Sequence, residues 1–220
     1  MLSKQKEAFI DFMLSAGVLR FGEFTTKSGR LSPYFVNTGN YKTGAQIATL
    51  GKFYASLVLE TISREFDVLF GPAYKGIPLV TATAVALFAE HDIDKPWLFN
   101  RKEAKDHGEG GTLIGYKPVD GDRVIIIEDV VTAGTAVRET LPVLRSCGGV
   151  VCEHLFISVN RCEIGVSSSQ TATAEIKEQF GIQVHALIDV FDLYEYIEQH
   201  NPAQAQTMRA YMDHYCVLPE

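Results

Sequence analysis

Hydrophobic and polar residues follow two patterns along the chain, short apolar runs and longer segments with helical spacing. The run Val124–Ile127 contains only β-branched residues and is typical of a strand buried on both faces of a parallel sheet. Between such runs apolar residues recur every three or four positions, as Leu50, Tyr54 and Leu57 do, which is typical of helices. Strands that alternate with helices predict an α/β fold with a doubly wound, mainly parallel sheet. Ligands of such sheets bind at the carboxyl ends of the strands.

The same pattern predicts where the elements begin and end. Strands of the main sheet are expected over residues 67–70, 96–100, 124–127, 150–159 and 183–188. Helices are expected over residues 3–16, 44–64, 77–90, 135–147, 189–199 and 202–215, and another ends at residue 180 after a serine-rich turn. Residues 101–111 contain no apolar residue larger than alanine and predict an exposed, mobile loop.

Residues 21–37 differ from the rest because apolar and polar residues alternate around a Lys-Ser-Gly-Arg turn. This alternation predicts an antiparallel strand pair that forms a small N-terminal hood beside the main sheet. We expect a single domain over residues 1–220, with the hood contributed by about residues 1–40 and by C-terminal elements. A chain of this length buries roughly 70% of its unfolded surface and needs no disulfide or structural metal to fold.

Composition narrows the class of protein. The chain has 20 basic and 27 acidic residues, a net charge of -7, which argues against nucleic acid as a partner. Its four cysteines lack metal-ligand or redox spacing and are expected to be free thiols. The N-terminus lacks a secretory pattern and no apolar run reaches membrane-spanning length, so we expect a cytoplasmic protein without a membrane partner.

The segment after the central strand carries the first candidate chemistry. Glu128 and Asp129 lie at the carboxyl end of the strand, and Thr132–Thr135 form a small-residue turn that opens a helix. A helix N-terminus favours a phosphate, and Gly134 allows close backbone approach. Carboxylates accept hydrogen bonds from vicinal hydroxyls, so the segment predicts a site for a phosphorylated sugar. The alternative is an acidic strand end followed by a threonine-capped helix without a ligand.

Three other turns lie on the same rim of the predicted sheet, the edge at which the carboxyl ends of its parallel strands meet. Lys75 lies in the Gly71–Gly76 turn, where an ammonium and backbone amides suit a diphosphate. Arg161 follows a later strand and can pair with a substrate carboxylate. Each turn taken alone is compatible with ordinary surface charge. Positive groups also follow the strand at 96–100, at Arg101, Lys102, Lys105 and His107.

Four segments together resemble a known family. IIIEDVVTAGTA resembles the phosphoribosyl-pyrophosphate (PRPP) signature of type I phosphoribosyltransferases. The segments FGEFTTKSGRLSPYFVN, LFGPAYKGIPL and FNRKEAKDHGEGG are similar to those of the bacterial orotate phosphoribosyltransferase family. The resemblance extends from about Phe9 to Arg161 and is weaker over the last third of the chain.

The resemblance implies an activity in the biosynthesis of UMP. Such enzymes transfer a phosphoribosyl group from PRPP to orotate and release orotidine 5′-monophosphate and pyrophosphate. It further implies Mg²⁺ as cofactor, held mainly by substrate oxygens rather than directly by the protein, and a homodimer whose mobile loop reaches the neighbouring active site. A cis peptide bond is expected at Ala73–Tyr74.

The resemblance also assigns residues. The catalytic set comprises Lys102, Lys105, His107 and Asp129. PRPP-binding residues are Lys27, Tyr74, Lys75, Arg101, Lys102, Lys105, His107, Glu128, Asp129, Val130, Val131, Thr132, Ala133, Gly134, Thr135 and Ala136. Orotate-binding residues are Lys27, Phe35, Val36, Thr132 and Arg161. Two positions depart from the common family pattern, since Glu128 often corresponds to an aspartate and Val36 to a phenylalanine.

Two other functions compete with this hypothesis. A purine phosphoribosyltransferase would share the central motif, but the hood and Arg161 favour a base that carries a carboxylate. A regulator that binds PRPP and nucleic acid without catalysis would lack the basic loop or carry an added DNA-binding domain. The basic loop, the chain length and the negative net charge favour the enzyme.

Overall fold

The structure, a computed structural model, describes residues 2–26, 29–102, 112–131, 134–165 and 169–218. The helices are α1 (Lys4–Ser15), α2 (Gly44–Ile62), α3 (Gly76–His91), α4 (Thr135–Arg145), α5 (Ala172–Phe180), α6 (Val190–His200) and α7 (Pro202–Tyr215). The strands are β1 (Leu19–Thr25), β2 (Leu31–Val36), β3 (Val68–Gly71), β4 (Trp97–Asn100), β5 (Leu113–Gly115), β6 (Arg123–Ile127), β7 (Val151–Asn160) and β8 (Gln183–Asp189). A short 3-10 helix spans Thr38–Asn40.

The main sheet has the strand order β5-β4-β3-β6-β7-β8, and its neighbours are parallel except for β4 and β5. Alternate residues of β6 enter two separate hydrophobic clusters, Ile125 and Ile127 on one face and Val124 and Ile126 on the other. The prediction of a mainly parallel sheet with a doubly buried central strand is confirmed. The carboxyl end of β6 therefore lies between the helices that pack on the two faces of the sheet.

Strand β5 was not predicted. It contains only Leu113–Gly115 and pairs antiparallel with β4, so its β conformation depends on the neighbouring strand. Backbone of Arg101 donates to the carbonyl of Thr112 at 2.7 Å, which joins the two ends of the predicted loop. Residues 103–111 of that loop lie outside the described part of the chain.

The hood is an antiparallel pair, β1 and β2, with Leu19 opposite Val36. Helix α7 lies against it, and the rings of Tyr34 and Tyr211 meet edge to face at 6.4 Å between centroids. The 3-10 helix then leads from β2 to α2, and Asn40 Nδ2 donates to the carbonyl of Gly17 at 2.7 Å. An element from the C-terminal part of the chain thus packs against the hood.

All four cysteines are free, and Cys152 and Cys162 are buried. Within the described ranges, no helix has both the length and the hydropathy needed to cross a lipid bilayer.

Candidate active site

The carboxyl end of β6 is held in place by buried polar contacts. The backbone N–H of Glu128 donates to the carbonyl of Phe156 at 3.0 Å. The hydroxyl of Tyr54, from α2, donates to the carbonyl of Glu128 at 2.6 Å and lies 2.7 Å from the hydroxyl of Ser158. Tyr54 and Ser158 are fully buried. Helix α2 and strand β7 therefore fix the backbone from which the two acids project.

Asp129 accepts hydrogen bonds from two segments that are distant in sequence and from the residue that follows it. Its Oδ2 accepts from Lys75 Nζ at 2.8 Å and from the hydroxyl of Thr38 at 2.6 Å. Its Oδ1 accepts from the backbone N–H of Val130 at 2.8 Å. Burial alone would raise the pKa of Asp129, but the contacts from Lys75 and Thr38 hold this pKa below its ordinary value. Asp129 is therefore an ionised acceptor at neutral pH.

Glu128 has the opposite electrostatic character. It is only 9% exposed, and burial, reinforced by the neighbouring charge of Asp129, raises its pKa to about 8. Its Oε1 accepts from the backbone N–H of Asp129 at 3.0 Å. The two adjacent acids thus offer a protonated carboxyl and a carboxylate at neutral pH, which suits a ligand with several hydroxyl groups.

The turn between β3 and α3 contains the cis peptide bond Ala73–Tyr74, as predicted. The backbone N–H of Ala73 donates to Asn100 Oδ1, at the end of β4, at 2.8 Å. A Cβ at Gly71 would collide with the carbonyl of Gly76, so the two ends of the turn can approach only as glycines. This packing presents Lys75 toward Asp129.

Basic side chains border the same turn. Tyr74 is exposed, and Lys102 Nζ lies 5.2 Å from the centroid of its ring. A cleft of about 770 Å³ runs past these residues to the end of β6. Its walls include Pro72, Asn100, Arg101, Lys102, Asp129 and Gly134. Residues from the β3, β4 and β6 strand ends therefore share one cleft, as the sheet topology requires.

Helix α4 begins at this cleft. Its N-cap, Gly134, has φ +65°, a conformation that favours glycine, and a Cβ there would lie 3.2 Å from the side chain of Ile176. Among the described residues no side chain caps the helix, so its first backbone N–H groups are available to an anion. The predicted residues Thr132 and Ala133 lie outside the described part of the chain, as do Lys27, Lys105 and His107. Backbone of Thr135 and Ala136 forms the first turn of α4, and Val131 lines the cleft with Val130.

Arg161 lies at the other end of the rim, beneath the hood. Its Nη2 lies 2.6 Å from Glu163 Oε1 and donates to the hydroxyl of Ser32 at 3.2 Å. Its guanidinium covers the ring of Tyr34, with 4.4 Å from Cζ to the centroid. Ser32 and Tyr34 alternate with Phe35 along β2, and Phe35 instead stacks on Phe24 at 5.4 Å. Of the predicted orotate residues, Arg161 therefore lies on one side of β2 and Phe35 on the other. Val36 is half-buried at the end of the strand.

Sequence reasoning missed several residues that organise this site. Thr38 contacts Asp129, and Asn100 contacts Ala73 in the turn that carries Lys75, through hydrogen bonds between distant segments. Tyr54 and Ser158 support Glu128 from below. Short polar residues at a strand end or in a 3-10 turn carry no periodic signal that distinguishes them from ordinary loop residues. Only Asn100, the last residue of a predicted strand, was at a position that the rule of ligands at strand carboxyl ends would single out.

The fold and the cleft define a class of protein: an α/β protein whose cleft at the central strand of a parallel sheet suits an anionic, hydroxylated ligand. A family model described as phosphoribosyl transferase domain matches residues 37–187. The orotate phosphoribosyltransferase of Clostridium beijerinckii is 52% identical over 192 residues, which cover 87% of this chain and 85% of that protein. The orotate phosphoribosyltransferase of Actinobacillus pleuropneumoniae serotype 5b is 49% identical, with 98% and 100% covered.

Solved structures agree with these sequence relatives. The crystal structure of an orotate phosphoribosyltransferase from Francisella tularensis has a TM-score of 0.87 and 38% identity, covering 96% of this chain and all of that one. The chain belongs to the phosphoribosyltransferase family, within its orotate phosphoribosyltransferase branch. The resemblance found in the sequence is confirmed.

Proposed function

We propose that this protein transfers the 5-phosphoribosyl group of PRPP to orotate, giving orotidine 5′-monophosphate and pyrophosphate in UMP biosynthesis. One structural observation supports it above the others. Lys75 and Asp129 meet at the carboxyl end of β6, between the N-terminus of α4 and the basic residues that follow β4. This arrangement matches the three parts of PRPP, a sugar with hydroxyls, a 5′-phosphate and a pyrophosphate.

The donor is bound in three parts. Asp129, as a carboxylate, accepts from the ribose hydroxyls, and Glu128 contacts the same sugar. The predicted residues Val130–Ala136 bind the 5′-phosphate, with the N-terminus of α4 directed at it. The pyrophosphate lies between the Tyr74–Lys75 turn and the basic residues after β4.

Catalysis follows from charge development. As pyrophosphate leaves, its negative charge grows while the ribose carbon becomes positive. Lys102, Lys105 and His107 stabilise the leaving group more strongly in the transition state than in the ground state. Asp129 orients the ribose and partly balances the positive charge that develops on it.

Mg²⁺ is the proposed cofactor. The donor set fits, because Mg²⁺ takes substrate phosphate oxygens and water together with at most one or two carboxylates. Substrate oxygens would hold most of the ion's coordination, beside the Asp129 carboxylate, whereas the protonated Glu128 would not be a ligand. When bound, Mg²⁺ neutralises part of the pyrophosphate charge.

The acceptor lies on the hood side of the cleft. Arg161 pairs with the orotate carboxylate, and Lys27 and Thr132 complete the polar contacts. Val36, at the end of β2, supplies an apolar surface for the pyrimidine ring, whereas Phe35 lies on the other side of the strand against Phe24. A positive group beneath the hood favours orotate over neutral purine bases.

A homodimer with shared active sites completes the proposal. Val85 and Phe88 lie one turn apart on α3 and are 61% and 59% exposed. Two neighbouring exposed apolar side chains are compatible with a symmetric contact between two copies of α3. The sharing of active sites itself rests on the family resemblance of the basic loop after β4.

The decisive experiment measures product formation by purified protein. With Mg²⁺, PRPP and orotate, we expect orotidine 5′-monophosphate and equimolar pyrophosphate. Purine bases should neither react nor compete. The Asp129→Asn variant should lose most of the activity while it still folds. Orotate-independent PRPP cleavage, or transfer to a purine, would overturn the proposal.

Mixing two inactive variants tests the shared sites. Lys105→Ala is expected to lower kcat by at least about a hundredfold, as for loss of one positioned stabiliser. Mixed with Asp129→Asn, it should form hybrid dimers that each contain one intact site, so part of the activity should return. Absence of recovery after demonstrated subunit exchange would contradict sharing of the loop between subunits.

A further inference from the structure

The contacts of Arg161 single out another acidic residue, Glu163. Arg161 donates to Glu163 Oε1 twice, from Nε at 2.8 Å and from Nη2 at 2.6 Å. Glu163 is itself held by the hydroxyl of Tyr211, which donates to Oε1 at 2.6 Å, and by Arg30 at 3.6 Å. Both Arg161 and Glu163 are mostly buried. The Glu163 carboxylate is thus held by Arg30, which precedes β2, and by Tyr211 of α7.

These contacts occupy one edge of the guanidinium. Nε and Nη2 face Glu163, and Nη2 also reaches Ser32 at 3.2 Å and Tyr211 at 3.4 Å. Nη1 makes no hydrogen bond to the described part of the chain. Because the ring of Tyr34 lies beneath the guanidinium plane, rotation about the last side-chain bonds is restricted. One edge is therefore bound to protein and the other remains for a ligand.

The net charge of the residues around Arg161 favours a negatively charged ligand. Arg30, Arg161 and Glu163 together carry one net positive charge within a mostly buried environment. A buried excess charge is costly unless a counter-ion is present, and a single carboxylate balances it. Without Glu163 the excess would be two charges, and Arg161 would lack the contact that fixes its orientation.

We infer that Glu163 is a positioning residue for the acceptor, which holds Arg161 by one edge so that its Nη1 edge meets the orotate carboxylate. This inference rests on the proposed function. Tyr211 of the C-terminal helix supports Glu163, so α7 contributes to acceptor selection although it lies far from the PRPP motif in sequence. The opposite role for Glu163 is competition with orotate for Arg161, and it predicts the opposite sign in the experiment below.

The test compares steady-state kinetics of wild type, Glu163→Gln, Glu163→Asp and Tyr211→Phe. Glu163→Gln should raise the KM for orotate about tenfold or more, the scale of losing one well-placed ionic contact, and leave the KM for PRPP within about twofold. Glu163→Asp should recover part of the orotate KM, since it keeps the charge. Tyr211→Phe should raise the orotate KM by a smaller factor, because Arg161 still orients Glu163.

Two controls separate positioning from general damage. Asp213→Asn removes an exposed 2.9 Å ion pair with Arg209 on α7, the helix that carries Tyr211. This variant should leave both KM values unchanged. Uracil, which lacks the carboxylate, serves as a poor alternative acceptor. Its kcat/KM should be unaffected by Glu163→Gln, so discrimination between orotate and uracil should fall by the same factor as the orotate kcat/KM.

The outcomes distinguish the two levels of the proposal. If wild type forms no orotidine 5′-monophosphate, the proposed function fails. If wild type is active and Glu163→Gln has an unchanged or lower orotate KM, the positioning role fails while the function stands. Equal losses for orotate and uracil, or a parallel rise in the KM for PRPP, would show a merely structural role and would also overturn the inference.

Discussion

Lys75 Nζ lies 2.8 Å from Asp129 Oδ2, across 54 residues of sequence, and joins the β3–α3 turn to the end of the central strand. The ammonium is more than half exposed, whereas the carboxylate is buried. In the absence of substrate, Lys75 therefore neutralises the group proposed to bind ribose. In the proposed function, the same ammonium contacts the pyrophosphate of PRPP.

Removal of the Lys75 charge tests this dual role. Lys75→Met should raise the KM for PRPP about tenfold or more and leave the orotate KM within about twofold, because only the donor loses a charged contact. Steady-state kinetics with each substrate varied provides the measurement. Lys52→Met is the matched control, since it removes a 2.7 Å ion pair with Glu90 on the outer helices. Equal changes in the two lysine variants would contradict the assignment.

Thr38 contributes to the ionisation of Asp129. Its hydroxyl donates at 2.6 Å, and this contact helps to lower the pKa of the carboxyl. Thr38→Val should therefore raise that pKa and shift the acid limb of the kcat/KM profile for PRPP to higher pH. Thr61→Val, which removes an exposed hydroxyl bonded only to its own helix at Leu57, should keep the wild-type profile. A shift to lower pH would disprove the role of Thr38.

Tyr54 is expected to be important for stability as well as for the site. Tyr54→Phe leaves the carbonyl of Glu128 and the hydroxyl of Ser158 without this partner in a fully buried position. The free energy of unfolding in urea should fall by about 1–3 kcal/mol. Tyr41→Phe is the control, because within the described residues the buried Tyr41 hydroxyl has no hydrogen bond to lose. A larger loss of unfolding free energy in Tyr41→Phe than in Tyr54→Phe would contradict the role given to the Tyr54 hydroxyl.

Glu128 should produce a recognisable pH dependence of stability. Burial raises its pKa from the ordinary 4.5 to about 8, so between these values the folded state binds more protons than the unfolded state. Its contribution to the free energy of unfolding is therefore complete below about pH 4.5 and is lost as pH rises toward 8. Its size is on the order of a few kcal/mol at most.

Urea unfolding of wild type and Glu128→Gln from pH 5 to 8.5 measures this contribution. The amide does not titrate, so the variant should lack the decline that wild type shows as pH rises. The Asp129 pKa is lowered from its ordinary 3.8, so its own contribution changes below this window. Parallel curves for the two proteins would mean that Glu128 does not retain its proton in the folded state.

Local patterns were sufficient for most of the fold. The strand at 124–127 and the helix at 202–215 were predicted because a buried strand and an amphipathic helix each leave a periodic trace in the sequence. Ser3, Thr43 and Asp189 act as N-caps at the start of α1, α2 and α6, which also depends on nearby residues alone. Strand β5 escaped prediction because three residues are too few for a period and depend on pairing with β4.

The sequence by itself determined the α/β class, the hood, the PRPP segment and the basic residues after β4, since each depends on residues close together in the chain. The tertiary structure decided which groups meet. It brought Lys75 and Thr38 to Asp129, placed Tyr54 beneath Glu128, and closed Glu163 and Tyr211 around Arg161. Hydrogen bonds between distant segments and the burial that shifts pKa values exist only after the helices pack on the sheet. Periodicity therefore revealed the elements, whereas the protonation of the two acids and the orientation of Arg161 required the packed fold.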